Sequence, residues 1–301
     1  MSDTKLVRWD PKGTYKYGIG CGWYLNGMRR VVSKGAFVEK PLNVERYRNI
    51  VCDTAEFLVE KLKDANETAP FVILDDQSPV KMDIERMIKI TDPHPFLYVK
   101  LPSNMGAGGK ENILQHILQQ RCEYVVRWDA DVKLDAPSFQ ELEASFKKLP
   151  DAFAITSCIT YFARLEASLL PARQNHFSGS NIADFVAYRS SAFKELGYSD
   201  PMLRINEDGD LRLRALAKMD MRCYVDKRIS GKATPSGANT GQDARVEVGN
   251  YIAKTRPFIK VVFPRNGSFR LTLNKKDSES AKDFHIGPHP YAEKLALALW
   301  K

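Results

Sequence analysis

Two carboxylates one residue apart, Asp129 and Asp131, close the mostly apolar run Tyr124-Val-Val-Arg-Trp128. In extended chain a spacing of two puts both side chains on one face. Oxygen donors so placed suit a hard divalent cation, Mg2+ or Mn2+, of the kind that also binds substrate phosphates. Taken alone, the pair suits a solvated surface turn just as well. Three further stretches bear on the choice. Asp75 and Asp76 end the run Phe71-Val-Ile-Leu74, and a Gly-rich turn, Pro102-Ser-Asn-Met-Gly-Ala-Gly-Gly-Lys-Glu-Asn112, enters a helical pattern. Such a turn offers free N–H groups and a helix dipole to an anion, and Lys110 adds a mobile positive charge. Finally, Glu207, Asp208 and Asp210 crowd one helix start. Capping and dipole complementarity explain one or two acids there, and a third calls for another role.

These groups need a sheet to hold them. The unbroken run 71–74 predicts a strand covered on both faces, and carboxylates at its end lie where open α/β sheets place ligands. Pro95–Leu101 and the stretch ending at Asp129 predict further strands. Helices are expected over Pro41–Ala65, with Val44, Tyr47, Val51, Ala55, Leu58, Val59 and Leu62 on one face, and over Glu111–Gln120, with Ile113, Leu114, Ile117 and Leu118 inward. Tyr15–Tyr24 reads as a first strand that breaks into a loop at Gly18, Gly20 and Gly22, where backbone can approach a ligand. No Gly-x-Gly-x-x-Gly fingerprint follows it, so a dinucleotide fold is not expected. Pro137 opens a helix with Phe139, Leu142, Phe146 and Leu149 inside. Asp151–Ile159 predicts a strand, and Phe185–Gly197 a strand running into a short helix. Thr234–Asp243 is a small, polar candidate lid or acceptor loop. A hairpin is expected around Arg265-Asn-Gly267, and Tyr291–Lys301 reads as a short helix docked on the body.

With 301 residues and 44% apolar content, the chain suits one large domain, or one and a half. The reading divides it into a core over residues 1–220 and a basic extension over 221–301 that packs on the core and does not fold independently. Cys21, Cys52, Cys122, Cys158 and Cys223 are odd in number and lack Cys-x-x-Cys spacing. Neither a disulfide framework nor a zinc site is therefore expected. The amino terminus has no apolar stretch of the secretory kind, which with the thiols predicts a reducing, cytoplasmic location. Residues 1–40 hold 8 Lys/Arg against 3 Asp/Glu and residues 212–276 hold 15 against 4, whereas residues 41–211 hold 19 against 26. Two basic segments flanking an acidic middle predict a polyanionic partner, either nucleic acid or an anionic membrane surface.

The motif order is strand–Asp-Asp-x-Ser, Asn-x-Gly-x-Gly-x-Lys-x-Asn, strand–Asp-x-Asp, and finally Ala-Tyr-Arg-x-x-Ala-Phe followed by Asn-Glu-Asp-x-Asp-Leu-x-x-Arg. In this it resembles the GT-A-fold, family-2-like glycosyltransferases that use nucleotide-diphosphate sugars, over about residues 15–220. The resemblance implies an α/β, GT-A (Rossmann-like) fold, with a mostly parallel central sheet flanked by helices and a basic C-terminal acceptor-side extension. It assigns Asp75 and Asp76 to base and ribose, and Gly22, Asn104, Lys110 and Asn112 to the nucleotide and diphosphate. Asp131 becomes the direct metal ligand, with Asp129 near ribose or metal and His285 a further candidate ligand. Asp208 becomes the catalytic base, with Glu207 and Asp210 supporting it or orienting the acceptor. The implied cofactors are Mn2+ or Mg2+ and a nucleotide-diphosphate sugar, a UDP-sugar being the preferred donor. Where the family has a Pro-Thr-Tyr-Asn-like turn, this chain has Cys21-Gly22-Trp23-Tyr24, a departure at the nucleotide edge. The Gln-x-x-Arg-Trp signature of processive polymerases is missing, which fits a single-transfer enzyme.

The chemistry asks for these types in any case. A departing diphosphate builds negative charge that a cation and Lys110 absorb, and the acceptor hydroxyl needs a carboxylate to take its proton. One base facing a metal-bound leaving group implies single displacement with inversion. For the acceptor, the basic 212–276 segment favours duplex DNA carrying a hydroxymethylated base, as in viral DNA-modifying enzymes acting in a host cytoplasm. The alternative is a soluble or peripheral-membrane enzyme building a lipid-linked or surface glycan.

Overall fold

The computed structural model describes residues 4–25, 28–33, 36–130, 132–136, 139–157, 169–171, 185–204, 207–226, 228–233, 242–262 and 270–301. The chain opens with strands β1 (Thr4–Val7), β2 (Tyr15–Trp23), β3 (Met28–Ser33) and β4 (Ala36–Pro41), then helix α1 (Val44–Asp64). Alternation follows through β5 (Phe71–Asp75), α2 (Ile84–Ile90), β6 (Phe96–Lys100), α3 (Gly106–Gln119), β7 (Cys122–Asp129), β8 (Val132–Ala136), α4 (Phe139–Lys148) and β9 (Ala152–Ser157). Next come β10 (Leu169–Pro171), β11 (Phe185–Arg189), α5 (Phe193–Leu196), α6 (Glu207–Met219), β12 (Arg222–Asp226) and β13 (Ser230–Ala233). The chain ends with α7 (Gln242–Thr255), β14 (Ile259–Val262), β15 (Arg270–Leu273) and α8 (Pro290–Leu299).

Nine strands share one sheet in the order β1-β6-β5-β2-β7-β11-β9-β12-β10. Its centre, β6-β5-β2-β7, is parallel throughout. β9 and β12 run parallel to each other, while β1, β11 and β10 pair antiparallel with their neighbours. Helices cover both faces, and β5 shows why its sequence has no polar break. Phe71 and Ile73 enter the core that α1 covers with Tyr47, Val51, Ala55, Leu58 and Leu62. Val72 and Leu74 enter the core that α3 covers with Ile113, Leu114, Ile117 and Leu118. α1 starts at Val44, later than the expected Pro41, because the Asn43 side chain caps it by accepting from Arg46 N.

The glycines of β2 do not break the strand. Gly18, Gly20 and Gly22 occupy every second position and so line one face, the face under α3. A Cβ at Gly18 would lie 2.9 Å from Leu118 Cδ2, one at Gly20 2.7 Å from Leu114 Cδ2, and one at Gly22 3.1 Å from Lys110 Cδ. Three positions spaced four apart on α3 therefore rest on three bare backbone positions, and the helix approaches the sheet closely.

The sheet continues past residue 220, since β12 pairs in parallel with β9. Beyond it, Val248, Ile252, Phe258, Ile259 and Leu271 form a smaller core with Leu203 and Leu213. β14 and β15 pair antiparallel as the expected hairpin does, although its turn lies outside the described residues. So does most of the expected lid, Thr234–Asp243, whose last two residues open α7. α8 docks on α3: Trp300 Nε1 donates to the Ile117 carbonyl at 2.9 Å, and the Trp9 and Trp300 rings are 4.6 Å apart. Cys21, Cys52, Cys122 and Cys223 are buried thiols outside any disulfide, and Cys158 lies outside the described residues. Among the described residues, no helix is long and apolar enough to cross a membrane.

Candidate active site

The two carboxylates that end β5 have different partners. Asp75 is buried, and both its oxygens are engaged by the protein: Oδ1 accepts from Ser78 N at 2.7 Å and Oδ2 from the Tyr98 hydroxyl at 2.6 Å. Between Asp75 and Ser78, Gln77 takes a left-handed φ of 61°, uncommon for a non-glycine residue, which turns the chain back. Asp76 is buried too, but it reaches the head of α3. Its Oδ1 accepts from Met105 N at 2.5 Å and its Oδ2 from Gly106 N at 3.1 Å, with Lys110 Nζ 3.7 Å away. A carboxylate at the positive end of the helix dipole stabilises the first turn. α3 accordingly starts at Gly106, five residues before the expected Glu111.

The same contacts revise the expectation of free N–H groups at this turn, because Met105, Gly106 and Gly108 already donate within the protein. Gly108 N donates to the Leu203 carbonyl at 2.8 Å, and a Cβ there would lie 2.0 Å from the Asp200 carbonyl oxygen. Only glycine admits so close an approach. Exposed Asn104 braces the turn, donating to the Asp76 carbonyl at 3.3 Å and accepting from Gly106 N at 3.2 Å.

Alternation along β7 turns Arg127 and Asp129 toward α3 and sends Val126 and Trp128 into the opposite core. Arg127 Nη1 lies 3.0 Å from Glu111 Oε1 and 3.2 Å from Asp129 Oδ1, bridging helix and strand. Gly22 is the register partner of Asp129 on the neighbouring strand. From the head of α6, Asp208 meets Arg212 Nη2 at 3.0 Å, and Glu207 is buried beside it.

These acids act on one another. Burial, then the Asp208 charge, pushes Glu207 up to about 8 against an ordinary value of 4.5, with Glu111 adding to the rise and Arg127 opposing it. Glu111 is pushed up to about 7, chiefly by burial, with Arg127 opposing and Asp129 and Asp208 adding. Its Oε2 has no hydrogen-bond partner. Asp129 keeps 39% of its side-chain surface, yet protein surrounds it. Burial first, and then Asp208, raise its proton affinity against Arg127 and Lys110. Acids whose proton affinity is raised side by side mark a place short of positive charge, which a divalent cation would relieve. The hard oxygen donors fit Mg2+ or Mn2+ in type. Asp129 and Asp208 are the described donors that feel each other, and Asp131 lies outside the described residues. Within the described residues, no group of three or more His, Cys, Asp or Glu is placed to hold a metal.

Several expected site residues do not join this group. Asn112 is fully buried and holds distant segments together. It donates to the carbonyls of Ser199 and Gly287 at 2.8 and 3.0 Å and accepts from His289 N at 2.7 Å. Asp210 is fully buried between Arg214, at 3.0 Å, and Arg256. His285 is exposed, with Nδ1 3.2 Å from the Glu195 carbonyl. Conversely, the structure adds Glu111, Arg127 and Arg212, which sequence reasoning passed over. Arg127 carried a usable signal, since a charge inside an otherwise apolar strand has to be paired.

The basic stretch 212–276 also changes character. Arg212, Arg214, Arg222, Arg228 and Arg256 are ion-paired with Asp208, Asp210, Asp151, Asp226 and Asp200. Lys254, Lys260 and Lys276 remain exposed.

No protein-family model and no curated protein matches the sequence. Solved structures do resemble the fold. The mannosyltransferase PcManGT from Pyrobaculum calidifontis, in complex with GDP-Man and Mn2+, superposes with a TM-score of 0.50 at 14% identity over 97% of this chain and 75% of that one. TarS 1–349 from S. aureus gives 0.49 at 14% over 89% and 69%. GalNAc-T7 with UDP, GalNAc and Mn2+ gives 0.49 at 11%, over 79% of this chain and 48% of its own. The first of these likenesses shows the fold: a mixed α/β architecture of GT-A type, with a parallel-centred sheet flanked by helices.

Proposed function

We propose that this chain transfers a sugar from a nucleotide-diphosphate donor to an acceptor hydroxyl. One observation carries the reading. Asp129, at the end of a parallel strand, and Asp208, at the head of α6, act on each other's charge at the edge where Lys110 meets Asp76. That edge is where open α/β sheets bind ligands, and the mannosyltransferase of similar fold carries GDP-Man and Mn2+. Here Asp76 fixes the turn that faces the donor, and Lys110 supplies positive charge for the departing diphosphate. Asp129 and Asp131 would hold Mn2+ or Mg2+, which when bound neutralises the diphosphate. Asp208 is the base. Arg212 holds its carboxylate, and beside it Glu207 is pushed up to about 8 by burial and then by the Asp208 charge. A single base opposite the leaving group makes the transfer inverting.

For the acceptor we infer a hydroxymethylated base in duplex DNA, on the strength of the exposed lysines that remain after internal pairing. Incubation with a panel of nucleotide sugars, Mn2+, and either hydroxymethylated or plain DNA, followed by nucleoside mass spectrometry, tests donor and acceptor together. A sugar-bearing nucleoside from hydroxymethylated DNA alone is the expected product. Transfer to a lipid-linked acceptor on anionic vesicles, with none to DNA, would overturn the acceptor and keep the reaction. The absence of both donor hydrolysis and transfer for every sugar nucleotide in the panel would end the reading altogether. An anomeric configuration retained from donor to product would remove the inversion.

A further inference from the structure

We propose that Arg256 is a positioning residue for the reaction: it registers the head of α6, and with it Asp208, against the loop 199–203 that α3 already holds. The inference rests on the reading of Asp208 as the base. The loop is fastened to α3 independently of Arg256. Ser199 accepts from Asn112 Nδ2 at 2.8 Å and exchanges two bonds with the Gln115 amide, at 2.8 and 3.0 Å. Leu203 accepts from Gly108 N at 2.8 Å. Arg256, the residue after α7, then joins this loop to α6: one end of its guanidinium pairs with Asp200 and its Nε with Asp210. The outer ends are held as well. Tyr251 donates to Asp200 at 3.0 Å. Arg214 holds the other oxygen of Asp210 at 3.0 Å and donates to the carbonyls of Leu196 and Tyr198 at 2.9 and 2.7 Å.

Asp210 stands two residues after Asp208 on one helix, so their side chains leave it about 200° apart. Clamping the first from inside aims the second away from the quartet, where Arg212 Nη2 meets it at 3.0 Å. Stability alone is a weak reason for so dry a quartet. Asp210 and Arg256 are completely buried, and apolar replacements of buried ion pairs are often as stable. What two planar guanidinium groups supply and an apolar core does not is a fixed direction.

The test uses the full chain with Arg256→Lys, which keeps a charge but loses the fork, and Tyr251→Phe, which removes one bond at the outer end. Hydrogen–deuterium exchange of the folded variants is read at the head of α6 (207–213), with the α3 turn (104–110) and β5 as internal references. For Arg256→Lys, exchange at 207–213 is expected to rise about tenfold while both references hold. kcat is expected to fall about 10- to 100-fold with the donor KM within about twofold. Tyr251→Phe should move both readouts the same way by a smaller factor, and it carries the test alone if the lysine variant does not fold. Faster exchange confined to α7, with kcat unchanged, overturns the proposal and leaves Arg256 a packing residue. If the wild type transfers no sugar, the functional reading fails separately, and exchange at 207–213 still decides whether Arg256 sets the helix.

Discussion

Asp208 and Asp210 share one turn of α6, and the two sides of that turn handle charge in opposite ways. On the inner side, Asp200 and Asp210 meet Arg214 and Arg256, acid matched to cation, in a site closed to water. On the outer side, Glu111, Asp129, Glu207 and Asp208 face Arg127, Lys110 and Arg212. There Glu111 keeps an oxygen with no partner, and three of the acids are shifted toward holding protons. The acids are of the same types, so residue type does not separate the sides. What separates them is the supply of counter-charge. A side that is complete holds the fold, and a side left short has capacity for an outside cation and for a proton in transit.

The largest effect that would break this contrast is at Asp208. Asp208→Asn should lower transfer about 10³-fold, within the usual range for losing a general base, while nucleotide binding by calorimetry stays near wild type. Wild-type turnover in this variant would move the base elsewhere. On the inner side, Asp210→Asn leaves two buried guanidinium groups short of a carboxylate. It should cost about 3–5 kcal/mol, read as a lowered urea midpoint at constant slope. A midpoint like that of the wild type would mean the quartet is not the sealed unit described. Asp129→Asn should weaken Mn2+-dependent donor binding about 10-fold or more and change stability little. Equal donor affinity with and without the substitution would count against Asp129 as a metal-side residue.

The smallest effect sharpens the contrast through pH. Glu207 is raised from 4.5 to about 8 on folding. Between those values the native state binds more protons than the unfolded chain, so its contribution is complete below about pH 4.5 and is lost as pH rises toward about 8. In metal-free buffer, Glu207→Gln should flatten the fall of stability across pH 5–8, by up to roughly 1 kcal/mol per pH unit. Parallel profiles for the two proteins would show that Glu207 is not held protonated.

Much of the fold was legible because burial on both faces leaves a plain mark. The run 71–74 could only be a covered strand, and the face of α1 announced itself by its spacing. The errors have a common physical origin: local pattern does not say where partners come from. Glycines at every second position mean a loop or one face of a strand, and only the presence of α3 decides between them. The head of α3 looked like an open turn because Asp76, Asp200 and Leu203, which close it, are distant in sequence. The same ambiguity put Asn112 and Asp75 among the expected nucleotide contacts, although the side chains of both already have partners inside the protein. Asp76, Lys110, Asp129 and Asp208 did come to one edge of the sheet. Glu111 was hidden because a glutamate early in a helix usually needs no more explanation than the helix dipole.

The contact between β2 and α3 loosens along its length. At Gly18 and Gly20 a methyl group would run into Cys122, Leu118 and Leu114, whereas at Gly22 it would press only on the bendable stem of Lys110. The seam is thus stitched tight at the end remote from Asp129 and left slack at the mouth of the proposed site. A new side chain at position 22 can redirect the lysine and reshape the opening without lifting the helix, an adjustment that positions 18 and 20 do not permit.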